Sequence, residues 1–168
     1  MEMLVDISGA VAVAATLMML TRLNAVHALL YLIVSLLAVA VIFYALGAPF
    51  AAALEVIIYA GAIMVLFVFV VMLLNLGQAA IDTERRWFHT VSWTGPFILV
   101  AVLVAEFTYL LRQSAGSAPP AVIAPVEVGI ALFGPYMLGV ELASMLLLGG
   151  LVGAYHLGRR ASHQSEAE

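Results

Sequence analysis

A carboxylate, a phenol and a glycine lie within one long apolar run of this 168-residue chain, in which Glu55, Tyr59 and Gly61 interrupt residues 51–75. A charged side chain near the middle of a membrane-spanning helix costs roughly 3 kcal/mol, so such residues usually face other helices or water and often lie on ion pathways. Glycine disfavours a helix interior by about 1 kcal/mol relative to alanine. The combination therefore predicts a functional point in this run.

Two further glutamates, Glu106 and Glu141, also lie inside apolar runs. Tyr59 follows Glu55 by four residues and Tyr109 follows Glu106 by three, so each phenol shares a helix face with its carboxylate. A carboxyl group in apolar surroundings can stay protonated, which suits a proton relay and a neutral hydrogen-bonding strut equally well. Glu55, Glu106 and Glu141 are thus candidate proton-path carboxylates, and structural or interfacial roles remain open for each.

Gly61, flanked by Ala60 and Ala62, marks the thinnest point of its run. Small residues in membrane helices most often allow close helix packing. The alternative is a π-bulge, a deformable point at which the two halves of the helix can rotate relative to one another. The residues alone leave both interpretations open.

Small residues also recur one turn apart in the last apolar run. Gly139 pairs in this way with Ala143, and Gly149 with Gly153. This spacing is typical of helix-packing faces in membranes, so these four residues are predicted to pack against other helices.

The composition indicates which elements position these residues. Hydrophobic residues make up 65% of the chain, charged residues 10%, and the mean hydropathy is +1.17, values that exclude a soluble domain. About 20 apolar residues span roughly 30 Å of hydrocarbon, and the long runs lack the alternation of a barrel. We therefore expect an all-α integral membrane protein, with residues 1–160 as a single membrane domain and 161–168 as a polar tail. Its five predicted transmembrane helices lie near 3–21, 27–46, 51–75, 92–111 and 135–157.

The arginines predict the orientation, because the chain contains no lysine. Arg22, the pair at 85–86 and the pair at 159–160 fall on one side of the predicted spans, and Arg112 falls on the other. The positive-inside rule then predicts a periplasmic N-terminus and a cytoplasmic C-terminus.

The segment from Arg112 to Gly134 is rich in alanine, serine, glycine and proline, and it is predicted to be extended. Val126, Val128 and Ile130 alternate there with less apolar residues. The alternation permits one short strand, with simple coil as the alternative.

Several chemistries find no support in the residues. The absence of cysteine excludes a thiolate iron–sulfur site and a cysteine nucleophile on this chain. His27 and His156 fall at the inner ends of predicted helices, where an interfacial polar residue is a simpler interpretation than a haem ligand. No phosphate-binding glycine loop or soluble acid–base pair is present. We expect no catalytic residue, no metal site, no cofactor and no nucleic-acid partner on this chain.

Three blocks of the sequence together resemble one known family: residues 24–32, residues 54–76, and Phe133-Gly134-Pro135-Tyr136 with residues 140–148. They are similar to the subunit J family of the bacterial proton-pumping NADH:quinone oxidoreductase, respiratory complex I, whose mitochondrial counterpart is subunit 6. The resemblance extends over residues 1–160 and is most specific around Glu55, Tyr59 and Gly61.

The resemblance implies a five-helix subunit without a redox centre, in the bacterial inner (plasma) membrane. Its partners would be the other membrane subunits of complex I, including the small helical subunits beside the quinone module and the antiporter-like subunits. FMN, iron–sulfur clusters and quinone would lie on or between other subunits.

The resemblance also implies a π-bulge at Tyr59 to Val65 whose formation and relaxation open and close a water path. Gly61 would permit the bulge, Tyr59, Val65 and Phe67 would form the gating surface, and Glu55 would lie on or beside the polar route. The leading hypothesis is therefore a non-catalytic subunit that couples electron transfer to proton translocation. A purely structural assembly subunit is the alternative, and a stand-alone transporter is disfavoured because the sequence has no internal repeat.

Overall fold

The computed structural model describes residues 2–22, 25–73, 91–114 and 122–164, and all of its regular elements in these ranges are helices. The helices are α1 Glu2–Thr21, α2 Ala25–Ala45, α3 Pro49–Leu73, α4 Val91–Ser114, α5 Pro125–Phe133 and α6 Met137–Gln164. In α3 the middle part, Glu55–Ile63, is π-helical, whereas Pro49–Leu54 and Met64–Leu73 are α-helical.

Five helices of the described part, α1 to α4 and α6, are long and apolar enough to cross a membrane. This confirms the predicted all-α, multi-pass fold, and the bounds differ from the predicted spans by at most three residues except at the end of α6, which lies seven residues later than predicted. The orientation of the termini stays a prediction.

A tight turn that includes Gly47 and Ala48 separates α2 from α3. Gly47 has φ of 82°, a left-handed conformation that glycine adopts without strain. The Ala48 N–H donates to the Phe43 carbonyl (2.9 Å), which closes α2, and Pro49 occupies the first turn of α3, where its missing N–H costs nothing.

The chain divides into two compact units, Met1–Ile123 and Ala124–Glu168. The first unit contains the described core, which α1, α2 and α4 form together. Many of its members are small, so the helix backbones approach closely. The buried core residues are Val11, Ala15, Val34, Ala38, Val41, Ala45, Leu103 and Leu110.

Hydroxyl groups add hydrogen bonds between α1 and α2. The Ser35 Oγ lies 2.9 Å from the Thr16 Oγ1, and it also donates to the Ala12 carbonyl at 3.1 Å. Such bonds between membrane helices contribute about 0.6 kcal/mol on average. They also set the register of the α1–α2 hairpin, because each hydroxyl reaches only one turn of the facing helix.

The prediction of extended chain at residues 126–130, as strand or coil, is wrong: these residues belong to α5. Ala124 is extended before Pro125, as a residue preceding proline must be, and Pro125 begins the helix. The Glu127 carboxylate accepts a hydrogen bond from the Ala124 N–H (3.2 Å). This proline and glutamate at the start of a helix outweigh a three-residue alternation of apolar side chains.

The second unit consists of α5, a short turn and α6. The Tyr136 N–H donates to the Ala131 carbonyl (3.1 Å), so α6 begins at Met137, two residues later than predicted. The helix extends to Gln164, beyond the predicted start of the polar tail, and residues 165–168 lie outside the described part. The single-domain organisation stays a prediction.

Candidate functional site: the π-helical segment of α3

The central part of α3 changes its hydrogen-bond register. At its start the Glu55 N–H donates to the Ala51 and Ala52 carbonyls, as in an ordinary helix terminus. At its end the Met64 N–H donates to the Tyr59 carbonyl, five residues earlier, as well as to the Gly61 carbonyl. A π-helical register inside an α-helix is rare and frequently accompanies a functional site.

Gly61 lies inside this segment, and its missing side chain matters there. A Cβ at position 61 would lie 3.2 Å from the Val56 carbonyl oxygen, five residues earlier on the same helix. That separation is tighter than most Cβ contacts, so a larger residue would have to displace the backbone. The glycine therefore leaves room for the Val56 carbonyl in the π-helical register.

The other residues predicted for the switch lie on the exposed side of α3. Tyr59, Val65 and Phe67 are all exposed, whereas Met64, between them in sequence, is only 2% exposed. Glu55 is half-buried at the first residue of the π-helical segment. The predicted gating surface thus lies where water, lipid or another chain can reach it.

Glu106 of α4 has a different environment. It is 7% exposed, and its Oε2 accepts a hydrogen bond from the Ser8 Oγ of α1 at 2.9 Å. Tyr109, the phenol that shares its helix face in the sequence pattern, is exposed. Among the described residues the other oxygen, Oε1, is buried without a hydrogen-bond partner. Glu106 therefore links α1 to α4 and retains one oxygen for a further donor or a proton.

Glu141 and the small-residue pairs lie on α6, in the second unit. Glu141, Gly139, Ala143, Gly149 and Gly153 are all exposed. Within their own unit nothing lies within 4 Å of a Cβ built on any of the three glycines. No packing partner for these pairs is thus found in that unit as described.

Two polar contacts of the first unit were not predicted from the sequence. One is Ser8 with Glu106, which a hydroxyl within an apolar run could have signalled. The other is the Arg22 guanidinium, which donates to the Tyr31 Oη (3.3 Å) and lies 5.1 Å from the centre of its ring. Gly95 of α4 provides the space for this hydroxyl, because a Cβ there would overlap the Tyr31 Oη.

The described residues include no group of three or more His, Cys, Asp or Glu side chains arranged to hold a metal ion. His27 belongs to the first unit and His156 to the second. Ser8 and Glu106 instead link two helices through their side chains, and Thr108 bonds its own helix backbone, donating to the Val104 carbonyl at 2.7 Å.

Comparison with known proteins identifies the family. The sequence model of NADH-ubiquinone/plastoquinone oxidoreductase chain 6 matches residues 15–157. The chain belongs to this family. The match includes the last seven residues of α1 and all of α2 and α3, and so contains the π-helical segment in full.

Bacterial relatives of the chain 6 family resemble the chain over nearly its whole length. NADH-quinone oxidoreductase subunit J of Pseudomonas aeruginosa is 56% identical over 166 residues, covering 98% of this chain and 100% of that protein. Subunit J of Escherichia coli K12 is 55% identical over 163 residues, covering 95% of this chain and 87% of that protein. Subunit J of Buchnera aphidicola from Schizaphis graminum is 46% identical over 164 residues, with coverages of 95% and 98%. The chain is thus a membrane subunit of the subunit J family.

Proposed function

We propose that this chain is a subunit of a bacterial proton-pumping NADH:quinone oxidoreductase and that it couples electron transfer to proton translocation. Its relatives carry the name of that enzyme's subunit J over nearly the full length of the chain. The described residues provide apolar helices, hydroxyls and carboxyls rather than a cluster of metal ligands. Such a chain contributes by controlling a path through the membrane, and the redox chemistry belongs to other subunits.

The π-helical register of Glu55–Ile63 is the observation that carries this proposal. A segment that alternates between π- and α-bonding turns one half of the helix by about one residue, or roughly 100°. This rotation exchanges the side chains that face a given neighbour, so an apolar surface formed by Tyr59, Val65 and Phe67 replaces a polar one. Apolar constrictions of this kind control passage by wetting and drying. A helix with two nearly equal registers is then a switch.

The three glutamates have different supported roles in this mechanism. Glu55 is the strongest candidate for the water path, because it begins the π-helical segment and is half-buried. Glu106 links α1 to α4 through its hydrogen bond with Ser8. Its other carboxylate oxygen remains available to a proton or a water molecule. Glu141 lies on the exposed surface of α6, where a neighbouring subunit could reach it.

In the proposed assembly, other subunits supply the redox groups and the neighbouring membrane helices. FMN, iron–sulfur clusters and quinone are held on or between other subunits. The neighbours are the small helical subunits beside the quinone module and the antiporter-like subunits, and the α6 pairs Gly139 with Ala143 and Gly149 with Gly153 provide packing surfaces for them. The whole assembly lies in the bacterial inner membrane, with the N-terminus of this chain in the periplasm and its C-terminus in the cytoplasm.

The substitution Gly61→Val tests the switch. Its side chain crowds the Val56 carbonyl in the π register, so it biases α3 towards one state. A bias of about 1.4 kcal/mol changes the ratio of the states tenfold. We expect NADH-driven proton uptake into inverted membrane vesicles to fall by up to that factor, while the complex assembles normally.

Ala62→Val is the matched control, because Ala62 is the adjacent exposed residue. The side-chain volume that it adds is similar to the volume that Gly61→Val adds. It should leave proton uptake near the unsubstituted level. Normal pumping in the Gly61→Val complex would contradict the switch. Structures of the complex in several states, with identical α3 hydrogen bonding in each, would contradict it independently.

A purely structural role is the second candidate, and the exposed small-residue pairs of α6 favour it. The two functions differ in their need for polar groups on α3. Glu55→Leu and Tyr59→Phe should leave a scaffold fully active, because both retain most of the side-chain volume. In a coupling subunit they reduce proton uptake per NADH oxidised, so the ratio of these two rates separates the candidates.

A further inference from the structure

An apolar cavity lies between α2, the first turns of α3 and the second half of α4. Its volume is about 460 Å³, within the range of roughly 300–1,000 Å³ that is typical of small-molecule sites. The lining includes Leu37, Val41 and Tyr44 of α2, Val56 of α3, and Val104 and Thr108 of α4. Val56 and Val104 are exposed, so the cavity opens sideways, towards the hydrocarbon of the membrane.

The lining changes character along the helix axes. Leu37 to Tyr44 spans seven residues, or about 10 Å of helix. Tyr44 lies at the end of the cavity near the α2–α3 turn, since it is the penultimate residue of α2 and Pro49 also lines the cavity. Thr108 lies at the same end, because the Tyr44 ring contacts the ring of Phe107, the residue before Thr108 (centroids 5.5 Å apart). Tyrosine, like tryptophan, is enriched at the boundary between hydrocarbon and headgroups. The cavity is thus apolar at depth and polar at its membrane-surface end.

A basic residue, Arg112, lies beyond this end of the cavity. Arg112 is four residues beyond Thr108 and eight beyond Val104, so the three residues lie along one face of α4. Arg112 is exposed and ends the apolar part of α4, which extends from Thr94 to Arg112. A guanidinium at the membrane surface binds phosphate oxygens well, because its donors match their geometry.

We infer that this cavity binds one acyl chain of a phospholipid whose phosphate is bound by Arg112. In a phospholipid the hydrocarbon chain is followed by the ester and then by the phosphate. The apolar lining, the pair Tyr44 and Thr108, and Arg112 follow one another in the matching order in this unit. The inference does not rest on the proposed α3 switch, although Val56 belongs to both the cavity lining and the π-helical segment. It predicts a lipid that remains with the protein when bulk lipid is exchanged.

A phosphatidylglycerol with a diazirine in the middle of one acyl chain tests the site. The probe is incorporated into membranes that contain the assembled chain, irradiated, and its cross-links are located by mass spectrometry. We expect them to concentrate on Val100, Val104 and Phe107, which line the cavity. Cross-links spread evenly over the exposed faces of the helices would overturn the inference.

Two variants and a control sharpen the test. Val104→Trp fills the cavity and should remove most of the cross-linking, whereas Ile98→Trp, an exposed residue of α4 outside the lining, should leave it unchanged. Arg112→Gln should weaken lipid retention about fivefold, the effect of one basic residue at a membrane surface. Unchanged cross-linking in the Val104→Trp protein would contradict the site. A photoreactive amino acid at position 104 that captures a neighbouring polypeptide instead of lipid would also contradict it.

Discussion

The α1–α2 hairpin and α3 are both apolar spans of the same unit, but they differ sharply in packing. The hairpin buries residues along both helices, including Val11 and Ala15 of α1 and Val34 and Ala38 of α2. In α3, the most apolar span of the five, the only buried residues are Ala52 and Met64. Hydropathy therefore does not predict packing, because lipid solvates apolar side chains as well as a neighbouring helix does.

Small residues and paired hydroxyls account for the difference. The hairpin combines alanines with the Ser35–Thr16 contact, which fixes the facing helices in one register. In α3 the residues next to Gly61 are mostly exposed, so few intrachain contacts oppose a change of its hydrogen-bond register. Segments with few buried contacts change conformation at low cost. The comparison predicts that substitutions in the hairpin affect stability, whereas substitutions around Gly61 affect coupling.

The largest expected effect on stability comes from overfilling the hairpin. Ala15 is fully buried, and Ala15→Leu inserts three carbons into its contact with α2. Overpacking of this kind costs about 2–3 kcal/mol. SDS titration of the purified chain in mixed micelles, followed by circular dichroism, measures the loss in free energy of unfolding.

Ala14→Leu is the control for this prediction, because Ala14 is exposed on the same helix. Its free energy of unfolding should remain near that of the unsubstituted chain. Equal losses in both variants would show that the hairpin does not pack through Ala15.

A smaller effect is expected where α4 meets the hairpin. Gly95→Ala places a methyl group against the hydroxyl of Tyr31, which is 1% exposed and bonded to Arg22, so the ring cannot move away freely. We expect a loss of about 1–2 kcal/mol in the same titration. Gly9→Ala is the control, since nothing lies within 4 Å of its added Cβ. A Gly95→Ala protein as stable as the Gly9→Ala protein would contradict the predicted overlap.

The Ser8–Glu106 bond should contribute about 1 kcal/mol, because Ser8→Ala leaves a buried carboxyl oxygen without its donor. A double-mutant cycle with Glu106→Leu, which removes the acceptor oxygens, isolates the contribution of the pair. A coupling energy near zero would remove Glu106 as a link between α1 and α4. Its remaining candidate role would then be on the proton path.

The smallest effect is expected for the hydroxyl contact within the hairpin. Ser35→Ala removes the contacts with the Thr16 Oγ1 and the Ala12 carbonyl, and such interhelical bonds contribute about 0.6 kcal/mol. Ser144→Ala is the control, because the Ser144 hydroxyl donates to the Glu141 carbonyl of its own helix (2.7 Å). A Ser35→Ala loss no larger than that of Ser144→Ala would mean that hydroxyl pairing does not distinguish the hairpin.

Much of the fold could be predicted from the sequence, because a membrane imposes a simple length rule. An apolar run of about 20 residues must be a helix whose backbone bonds are satisfied internally. The prediction failed at residues 126–130, where the run is short and the start of α5 depends on Pro125 and Glu127. In such a short segment local capping outweighs periodicity.

The candidate site was less accessible to sequence reasoning. Glu55, Tyr59 and Gly61 were chosen as candidates because a charge, a phenol and a glycine are unusual within an apolar run. The partner of Glu106 was not found, because Ser8 is 98 residues away and a serine on a membrane helix has many other uses. Contacts between distant helices depend on rotation about each helix axis, which apolar runs without a strong periodic pattern do not specify.

The sequence by itself determined that this chain crosses the membrane, through which segments, and to which family it belongs. These properties follow from the length, apolarity and identity of contiguous residues. Only the tertiary structure decided that the hairpin is packed and α3 largely bare, that Glu106 bonds to Ser8, and that Gly95 accommodates Tyr31. Hydrocarbon solvates every apolar face equally, so the choice of faces depends on small residues and polar pairs that meet only when the helices assemble.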